Sequence, residues 1–578
     1  MHFKRPKFYT SFAALNMSQF FSALNDNIFK LLLVFLMITI KGPEHSNTIL
    51  ALVGAVFVIP FLLFASLAGS LADRFSKGSI IYFTRLLEII IMSLGVVAFA
   101  FQTALGGYTV LFLMATQSAL FSPAKYGVIP EIVAKGRISH CNGVLTATTY
   151  LAIILGTFLA SFLSEVTHKN FVVASSFCVL IALVSTAVSL GIKKTKPQAA
   201  TTKVSTRFIK DILATLKRAR RIRYLFPTIV FGAFFLFMGA YTQLNIIPFA
   251  MQALDLSAIQ GGYLFLMTAI GIGIGSFLAG RFSGKEVELG FIPLAAFGIG
   301  VALTTLFFFR HNFHVVVPLL ILLGLCGGFY AVPVDAFIQT ASPKADRGRN
   351  VAAANFLSFL GVILASFFIA FLGNVLDLSA ASGFFIVGIM TLMLSVVLLF
   401  VMADQVMRLL IAKVGYLLWN LKVMGRTNLR LSPPALLVGP RTSWLDTVVV
   451  MATLPRLIRY IVPIEKNALK RKTRFYRLLR IIPIDIEYFA PIGMPTLHEI
   501  KKELQLGHSV CLMYPVDLPE ESMASWKAAL EKHLQEVAVP VIPIHISRTA
   551  PPKGVGHISQ FFSLFKHPIK VSYGSKLQ

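Results

Sequence analysis

Ionisable and amide side chains interrupt several long apolar stretches of this sequence. The first stretch carries Asn25-Asp26-Asn27 and Lys30, and a spacing of four residues places Asp26 and Lys30 on one face of a helix. An ionisable group at the centre of a membrane helix costs about 2.5–3.5 kcal/mol to insert, so such groups mark a functional pathway by default. We therefore predict that these four residues line a substrate pathway.

Five residues in other apolar stretches extend the predicted pathway: Lys125 beside Pro123, Gln243 and Asn245 ahead of Pro248, and Asp335 and Gln339 on one helix face. For Asp26 and Lys125 the alternative role is a polar contact that holds two helices together. Arg85 and Glu88 are three residues apart and can neutralise each other. We interpret them as a structural pair.

The composition indicates which elements hold these residues. Apolar residues make up 56% of the 578 positions and charged residues 13%, and the mean hydropathy of +0.76 excludes a water-soluble globular protein. Stretches near twenty apolar residues predict twelve membrane helices, at 11–40, 48–72, 78–103, 106–124, 140–165, 170–192, 224–251, 258–282, 288–309, 313–341, 349–373 and 379–403. The sequence thus predicts an all-α polytopic membrane protein, whose first stretch is a membrane helix rather than a cleaved signal peptide.

Positive charge is concentrated in the connections between the predicted helices. The chain has 53 Lys and Arg against 25 Asp and Glu, a formal net charge of +28. Their distribution places the N-terminus and C-terminus in the cytoplasm, with anionic membrane lipids as partners, and disfavours nucleic acid. The four cysteines are widely spaced and predict neither a disulfide framework nor a metal site, and no cofactor is indicated.

A repeated string divides the predicted membrane helices into halves. Leu71-Ala-Asp-Arg-Phe-Ser-Lys-Gly78 recurs as Leu278-Ala-Gly-Arg-Phe-Ser-Gly-Lys285, 207 residues later. We predict two six-helix repeats, at 1–192 and 224–403, joined by a basic cytoplasmic linker at 193–223.

The first of these strings, extended back to Gly69, resembles the loop signature of the major facilitator superfamily, G-x-L-a-D-r-x-G-r-k. The resemblance implies the twelve-span major facilitator fold and transport by alternating access. The implied conformational gate contains Gly69, Asp73, Arg74, Lys77 and, in the second copy, Arg281. We expect Asp73 to cap or face a neighbouring helix end, while Arg74 and Lys77 stay at the anionic inner leaflet. The gate is expected to be asymmetric, because Gly280 stands where the first copy has Asp73; an ordinary positive-inside loop is the alternative.

Two further strings resemble the lysophospholipid transporter branch of this superfamily: Ala23-Leu-Asn-Asp-Asn-Ile-Phe-Lys30 and Phe121-Ser-Pro-Ala-Lys-Tyr-Gly-Val-Ile129. This resemblance implies movement of a lysophospholipid, chiefly lysophosphatidylethanolamine, from the outer to the inner leaflet of a bacterial inner membrane. Lys125 and Asp26 would then be counter-charges for a zwitterionic or anionic headgroup. A drug or siderophore exporter on the same fold is the alternative.

After residue 403, short apolar runs alternate with prolines and charged residues. Residues 404–430 predict an interfacial amphipathic helix, with leucines such as Leu409 and Leu417 on one side and Trp419 at the level of the lipid headgroups. Within 431–578 we predict strands at 435–438, 480–484, 510–514 and 539–546, alternating with helices at about 444–458, 468–479, 494–506 and 521–537. This pattern is typical of an α/β domain.

The order of these elements resembles the glycerophospholipid acyltransferase family over most of 430–578, but its active-site motifs are degenerate. Arg441 stands at the position of the general base, Ser443 and Asp446 are retained, Asp485 is followed by Ile486 instead of arginine, and Val516 and Asp517 replace the Glu and Gly of the third motif. An arginine, with a pKa above about 12, cannot act as a base. His498, His508 and His545 do not restore the motif. We therefore predict a cytoplasmic domain without enzyme activity.

Three functions stay open. The first is a lysophospholipid transporter whose pseudo-acyltransferase domain binds lipid or regulates transport. The second is a bifunctional transporter and lysophospholipid acyltransferase, and the third is a facilitator for another amphipathic or polyanionic solute with a C-terminal scaffold. The resemblance implies a lysophospholipid substrate, and it allows acyl carrier protein or a separate acyltransferase as further partners. Headgroup preference, coupling ion and oligomeric state are left open.

Overall fold

The computed structural model describes residues 7–42, 45–198, 208–284, 286–419, 421–425, 428–429, 434–441, 444–454, 458–464, 476, 479–485, 494–516, 539–547 and 569–574. The chain divides into two compact units between Leu398 and Leu399.

The first unit is a bundle of long apolar helices. They are α1 (Lys7–Lys41), α2 (Ser46–Leu63), α3 (Ala65–Arg74), α4 (Lys77–Ala100), α5 (Ala104–Ile132), α6 (Ile138–Val166), α7 (Phe171–Ser189), α8 (Phe208–Ala219), α9 (Leu225–Leu254), α10 (Ala258–Phe282), α11 (Phe291–Phe308), α12 (Phe313–Ala341), α13 (Arg347–Ala370) and α14 (Ala380–Val401). Short 3₁₀ turns at Lys135–Arg137 and Lys344–Asp346 precede α6 and α13.

The predicted number of membrane helices agrees with the structure. Within the described ranges, eleven helices are long and apolar enough to cross a membrane, and α2 with α3 makes twelve if this bent pair is one span. The chain bends by 48° between the axes of α2 and α3. Pro60 lies four residues before the break and lacks the backbone N–H that would bond the carbonyl of Val56 within α2.

The two halves of the bundle, α1–α7 and α9–α14, meet along seams of small residues. A Cβ atom at Gly69 on α3 would lie only 2.6 Å from the Cβ of Ala352 on α13. On the other side, a Cβ atom at Gly280 on α10 would lie 3.0 Å from the carbonyl oxygen of Ser139 on α6. Small residues allow helices inside a membrane to approach closely, so these seams join the halves without large side chains. We call the end of the bundle that carries α8, between α7 and α9, the linker end.

The second unit contains a seven-stranded mixed sheet with the strand order β1-β7-β6-β2-β5-β3-β4. The strands are β1 (Lys422–Met424), β2 (Leu436–Arg441), β3 (Arg459–Ile464), β4 (Ile481–Asp485), β5 (Val510–Pro515), β6 (Val541–Ser547) and β7 (Lys570–Tyr573). Neighbouring strands are parallel except β6 and β7. The helices are α15 (Ala403–Trp419), α16 (Trp444–Thr453) and α17 (Met494–Gln505).

The four strands predicted in this unit correspond to β2, β4, β5 and β6, whereas β1, β3 and β7 were not predicted. Helices α16 and α17 lie where helices were expected. The helix predicted at 521–537 lies outside the described residues, and the one at 468–479 lies largely outside them.

The helix predicted for 404–430 is shorter than expected. It ends at Trp419, and Lys422–Met424 forms a strand that pairs with β7. Trp419 is covered by protein instead of facing the headgroups: it is 6% exposed and belongs to the apolar core of the second unit, because α15 packs on α16. The exposed face of α15 carries Leu410, Val414 and Leu417.

Candidate substrate pathway and conformational gate

Asp26 lies half-buried in the middle of α1. Its carboxylate accepts a hydrogen bond of 3.0 Å from the hydroxyl of Ser118 on α5. Lys30, one helical turn later, interacts with Asp26 by charge, and its Nζ atom lies 5.5 Å from the ring centroid of Phe57 on α2. The structure therefore brings this predicted pair to the surface that α1 shares with α2 and α5.

Lys125 lies on α5 and is 8% exposed. Its ammonium group lies 4.4 Å from the ring centroid of Tyr126 and 5.7 Å from that of Phe121, so two aromatic faces stabilise it. The charges of Asp26 and Asp335 also act on Lys125. Since Asp335 is on α12, the set contains helices from both halves of the bundle.

Asp335 is half-buried and faces the first half of the bundle. Its charge acts on Lys125 and on the hydroxyls of Tyr126 and Tyr150. The two tyrosines were not among the predicted pathway residues, although Tyr126 belongs to the string that begins at Phe121. They add neutral hydrogen-bonding groups to a site of opposed charges.

Arg85 and Glu88 form a buried ion pair on α4. Glu88 also accepts hydrogen bonds from Asn25 at 3.1 Å and from Ser22 at 3.3 Å, and the guanidinium carbon of Arg85 lies 3.9 Å from the ring centroid of Phe121. Both charges act on Asp26. The pair therefore holds α1, α4 and α5 together at the border of the pathway.

The remaining predicted pathway residues make their polar contacts elsewhere. Asn27 donates to the carbonyl of Ala23 within its own helix at 2.7 Å, and Gln243 is exposed on α9. Asn245 donates to the carbonyl of Ala380 at 2.8 Å. Gln339 and Asn142 exchange amide hydrogen bonds of 2.7 and 2.9 Å, which join α12 to α6 across the two halves.

Asp73 ties the halves together at the linker end. Its buried carboxylate accepts hydrogen bonds from the backbone N–H of Gly348 at 2.6 Å and of Arg349 at 3.0 Å. These N–H groups are in the first turn of α13 and have no partner within the helix. A carboxylate at this position accepts their hydrogen bonds and interacts favourably with the positive end of the helix dipole. A residue of the first half thus caps a helix of the second half.

Lys77 is not at a leaflet surface, where it was expected. Its side chain is fully buried, and its Nζ atom lies 2.7 Å from a carboxylate oxygen of Glu131 at the end of α5. A guanidinium nitrogen of Arg347 is 4.0 Å from the same oxygen. The reason is that Glu131 supplies the counter-charge that a buried ammonium needs. Arg74 is half-buried beside the ring of Phe75, 5.6 Å from its centroid.

The second copy of the gate is built differently. Gly280 stands where the first copy has Asp73, and its Cβ position would lie 3.2 Å from the Cα of Gly143 on α6. Backbone contact between α10 and α6 thus occupies the place of a side-chain cap. Arg281 is exposed at the end of α10. The two sides of the linker end are therefore closed by different contacts.

In the second unit, Arg441 ends β2 beside the end of β5. The backbone N–H of Val516 donates to the carbonyl of Arg441 at 3.3 Å. Asp446 is 4% exposed in the first turn of α16. Burial lowers the pKa of Arg441, while the charges of Asp446 and Tyr476 oppose this shift. Ligand sites of parallel sheets lie at this carboxyl edge, where β4 also ends, at Asp485.

The other predicted positions are distributed over the second unit. Ser443 and Asp517 lie outside the described residues. His508 precedes β5, at the opposite edge of the sheet, and its Nδ1 atom is 2.6 Å from a carboxylate oxygen of Glu503. His545 is exposed on β6, and His498 is on α17.

Comparison with known families decides the class of the membrane bundle. A sequence model of the Major Facilitator Superfamily matches residues 15–366 and 229–455. The chain belongs to the major facilitator superfamily. This confirms the resemblance drawn from the string that begins at Gly69.

The relatives within the major facilitator superfamily include proteins named lysophospholipid transporter LplT. The one from Escherichia fergusonii is 29% identical over 350 residues, which cover 59% of this chain and 83% of the relative. One from Escherichia coli is 30% identical over 349 residues, with the same coverage.

Solved structures show the major facilitator fold of the bundle. The human organic anion transporter MFSD10 aligns with a TM-score of 0.58 at 14% identity, over 69% of this chain and 100% of that chain. The Escherichia coli fucose:proton symporter FucP aligns with a TM-score of 0.57 at 14% identity, over 68% and 99%. At this identity the likeness shows the fold alone.

Several residues of this major facilitator protein that contact the predicted gate or pathway residues were missed by sequence reasoning. They are Ser118, Tyr126, Glu131, Tyr150, Arg347, Gly348 and Arg349. A signal for the last three was present, since Lys344–Asp346 and Lys135–Arg137 occupy equivalent turns of the two repeats. Ser118 gave no signal, because a lone serine in an apolar helix commonly bonds its own backbone.

Proposed function

We propose that this protein moves lysophospholipids, chiefly lysophosphatidylethanolamine-like lipids, from the outer to the inner leaflet of a bacterial inner membrane. The observation that carries the proposal is the set of half-buried Asp26, buried Lys125 and half-buried Asp335, which brings opposite charges from both halves of the bundle together. The relatives named lysophospholipid transporter support the same substrate class.

The charge balance of the pathway favours a zwitterionic headgroup. Six ionisable side chains act on one another there: the cations Lys30, Arg85 and Lys125, and the anions Asp26, Glu88 and Asp335. Three positive and three negative charges cancel. A site of this kind offers a phosphate one partner and an ammonium group another, whereas a polyanionic solute would meet three carboxylates.

An apolar route leads away from these charges. Phe57, which lies beneath the ammonium group of Lys30, is followed by Phe61 at a centroid distance of 5.6 Å. Phe61 stacks on Phe359 of α13 at 4.1 Å. This seam between α2 and α13 belongs to both halves, and we propose that it accepts the single acyl chain while the headgroup lies at Asp26 and Lys125.

The end of the bundle that is closed is consistent with the proposed direction. Basic residues of the connections assign the linker end to the cytoplasm. The contacts of Asp73 with α13 and of Gln339 with Asn142 close that end, so a substrate enters from the other side in this conformation. Release into the inner leaflet then requires the cap on α13 to break, as alternating access demands.

We propose further that residues 431–578 form an acyltransferase-like domain without catalytic activity. Arg441 lies at the edge of the sheet where a base would be needed, and the histidine at 508 lies at the opposite edge. A cationic Arg441 beside Asp446 suits an internal ion pair or the binding of a phosphate group.

The transport proposal is tested by measuring uptake of radiolabelled lysophosphatidylethanolamine by spheroplasts that express the full chain. The proposal of an inactive acyltransferase-like domain is tested by measuring acyl transfer from acyl-CoA or acyl carrier protein by the purified chain. We expect uptake above that of cells without the protein, and no transfer. Absence of uptake would leave a facilitator for another amphipathic solute, whereas acyl transfer would make the protein bifunctional.

A further inference from the structure

Helix α8, in the connection between the two halves, contacts both of them at the linker end. Its Ile212 is 4% exposed and packs between Ala65 on α3 and Ala353 on α13. The hydroxyl of Ser66 on α3 donates to the carboxylate of Asp211 at 3.4 Å. The sequence predicted only a basic linker here, so this docking is a finding of the structure.

Helix α8 also reaches the residues that form the gate. Arg218 lies 3.8 Å from the carboxylate of Asp346, in the turn that precedes α13. The same carboxylate lies 3.3 Å from Arg349, whose backbone N–H binds Asp73. The helix therefore bridges α3 and the start of α13 only while these two elements are close, which is the closed arrangement of the linker end.

The outer face of α8 carries apolar and basic side chains together. Ile209 is 62% exposed and Leu213 is 59% exposed, and they are one helical turn apart. Lys210 and Lys217 are exposed on the same side, and Arg221 is exposed just past the end of the helix. Apolar side chains flanked by cations are typical of a helix that lies in the surface of an anionic membrane.

The chain keeps this face close to a membrane surface. Five residues separate Ala219, the end of α8, from Leu225, the start of the membrane helix α9. Since each residue extends the chain by at most about 3.6 Å, α8 cannot lie far from the level at which α9 enters the membrane. Under the assignment of the linker end to the cytoplasm, that surface is the anionic inner leaflet.

From these observations we infer that α8 is a membrane-surface helix through which anionic lipids stabilise the closed linker end. The partner is the anionic lipid surface, bound by Ile209 and Leu213 and by the cations Lys210, Lys217 and Arg221. Helix α8 can contact α3 and α13 together only in the closed state, and this docking turns its outer face away from the bundle. The lipid surface therefore binds the closed conformation more tightly than the open one and favours it. The inference makes no use of the transported substrate.

Contact with lipid is tested on the full chain with Leu213→Trp. In vesicles that contain brominated phosphatidylglycerol, we expect the tryptophan at this position to be quenched after subtraction of the wild-type signal. The same variant in vesicles that contain brominated phosphatidylcholine instead is the control and should be quenched less, because the outer face of α8 is cationic. Equal quenching by the two brominated lipids would overturn the proposed contact with anionic lipid.

The effect on the gate is tested with spin labels at Phe75→Cys and Ala345→Cys, exposed positions of the two halves at the linker end, in a Cys326→Ser background. The other three cysteines are buried. A long distance between the two labels reports the open linker end, and a short distance reports the closed one. When vesicles of phosphatidylcholine and phosphatidylglycerol are replaced by vesicles of phosphatidylcholine alone, we expect the ratio of long to short distances to rise at least about fivefold.

Neutralising the outer face separates this role from a general effect of lipid. The triple variant Lys210→Gln, Lys217→Gln, Arg221→Gln should show the raised ratio in both kinds of vesicle. The matched variant Lys194→Gln, Lys196→Gln removes exposed cations outside α8 and should respond to lipid like the wild type. A triple variant that keeps the full lipid response, or a wild type without one, would overturn the inference. Neither readout measures transport, so a failure of the proposed lysophospholipid function is distinguished from a failure here.

Discussion

At the scale of single residues, Asp26 and Lys125 carry the transport proposal. We expect Asp26→Asn and Lys125→Ala each to reduce lysophosphatidylethanolamine uptake by about 10- to 100-fold, because a charge-assisted hydrogen bond to the headgroup contributes about 1.5–3 kcal/mol. The amount of protein in the membrane should not change. Ser176→Ala, at an exposed position on α7 whose hydroxyl donates to a carbonyl of its own helix, is the control and should transport like the wild type. Wild-type uptake by both charge variants would remove these residues from the pathway.

Arg441 leads us to expect that the protein does not catalyse acyl transfer. The purified chain should show no acyl transfer, since loss of general-base help alone costs about 10²–10⁴-fold in rate. Arg441→His should restore nothing, because Val516 and Ile486 would still lack the groups of the acyltransferase motifs. Acyl transfer by the wild type that disappears in Asp446→Ala would contradict the pseudo-enzyme.

At the scale of elements, the contact between the end of α3 and the start of α13 closes the linker end. We expect Asp73→Ala to raise the open-to-closed ratio by about 2- to 30-fold, because losing a helix cap costs about 0.5–2 kcal/mol. The distance between spin labels at positions 75 and 345 measures this ratio. Lys41→Ala removes an exposed cation at the end of α1, outside the predicted gate, and should leave the ratio unchanged. If Asp73→Ala left the closed population unchanged, the small-residue seams alone would keep the linker end closed, and the cap by Asp73 would not be needed.

The elements that could be predicted are those whose position depends on one feature of the sequence, such as the length of an apolar stretch. About twenty apolar residues span a bilayer, so the membrane helices could be predicted from the sequence. The repeated string located Asp73, whose contact joins α3 to α13. The buried pair of Lys77 and Glu131 was not predictable, because its partners are 54 residues apart and meet only through the packing of α4 on α5. Trp419 was misplaced for a similar reason: amphipathicity alone does not tell a lipid surface from the neighbouring helix α16.

At the scale of the whole molecule, the described chain forms two compact units. Truncation after about residue 403 should leave a folded twelve-span bundle, because the two repeats complete their contacts before that point. Size-exclusion chromatography of the detergent-solubilised variant, together with its uptake rate, tests this. A bundle that inserts but does not transport would make the C-terminal unit a required partner, whereas aggregation would place the boundary elsewhere.

The central claim, that a lysophospholipid crosses the membrane through the pathway of Asp26 and Lys125, is tested most directly by a leaflet-resolved assay on the purified full chain in vesicles. Fluorescent lysophosphatidylethanolamine is added outside, and the fraction that becomes protected from a membrane-impermeant quencher is followed over time. We predict that this fraction rises with the wild type and with Ser176→Ala, and that it rises about 10- to 100-fold more slowly with Asp26→Asn. A protected fraction that does not exceed that of protein-free vesicles with the wild type, or that rises equally with Asp26→Asn, would contradict the account.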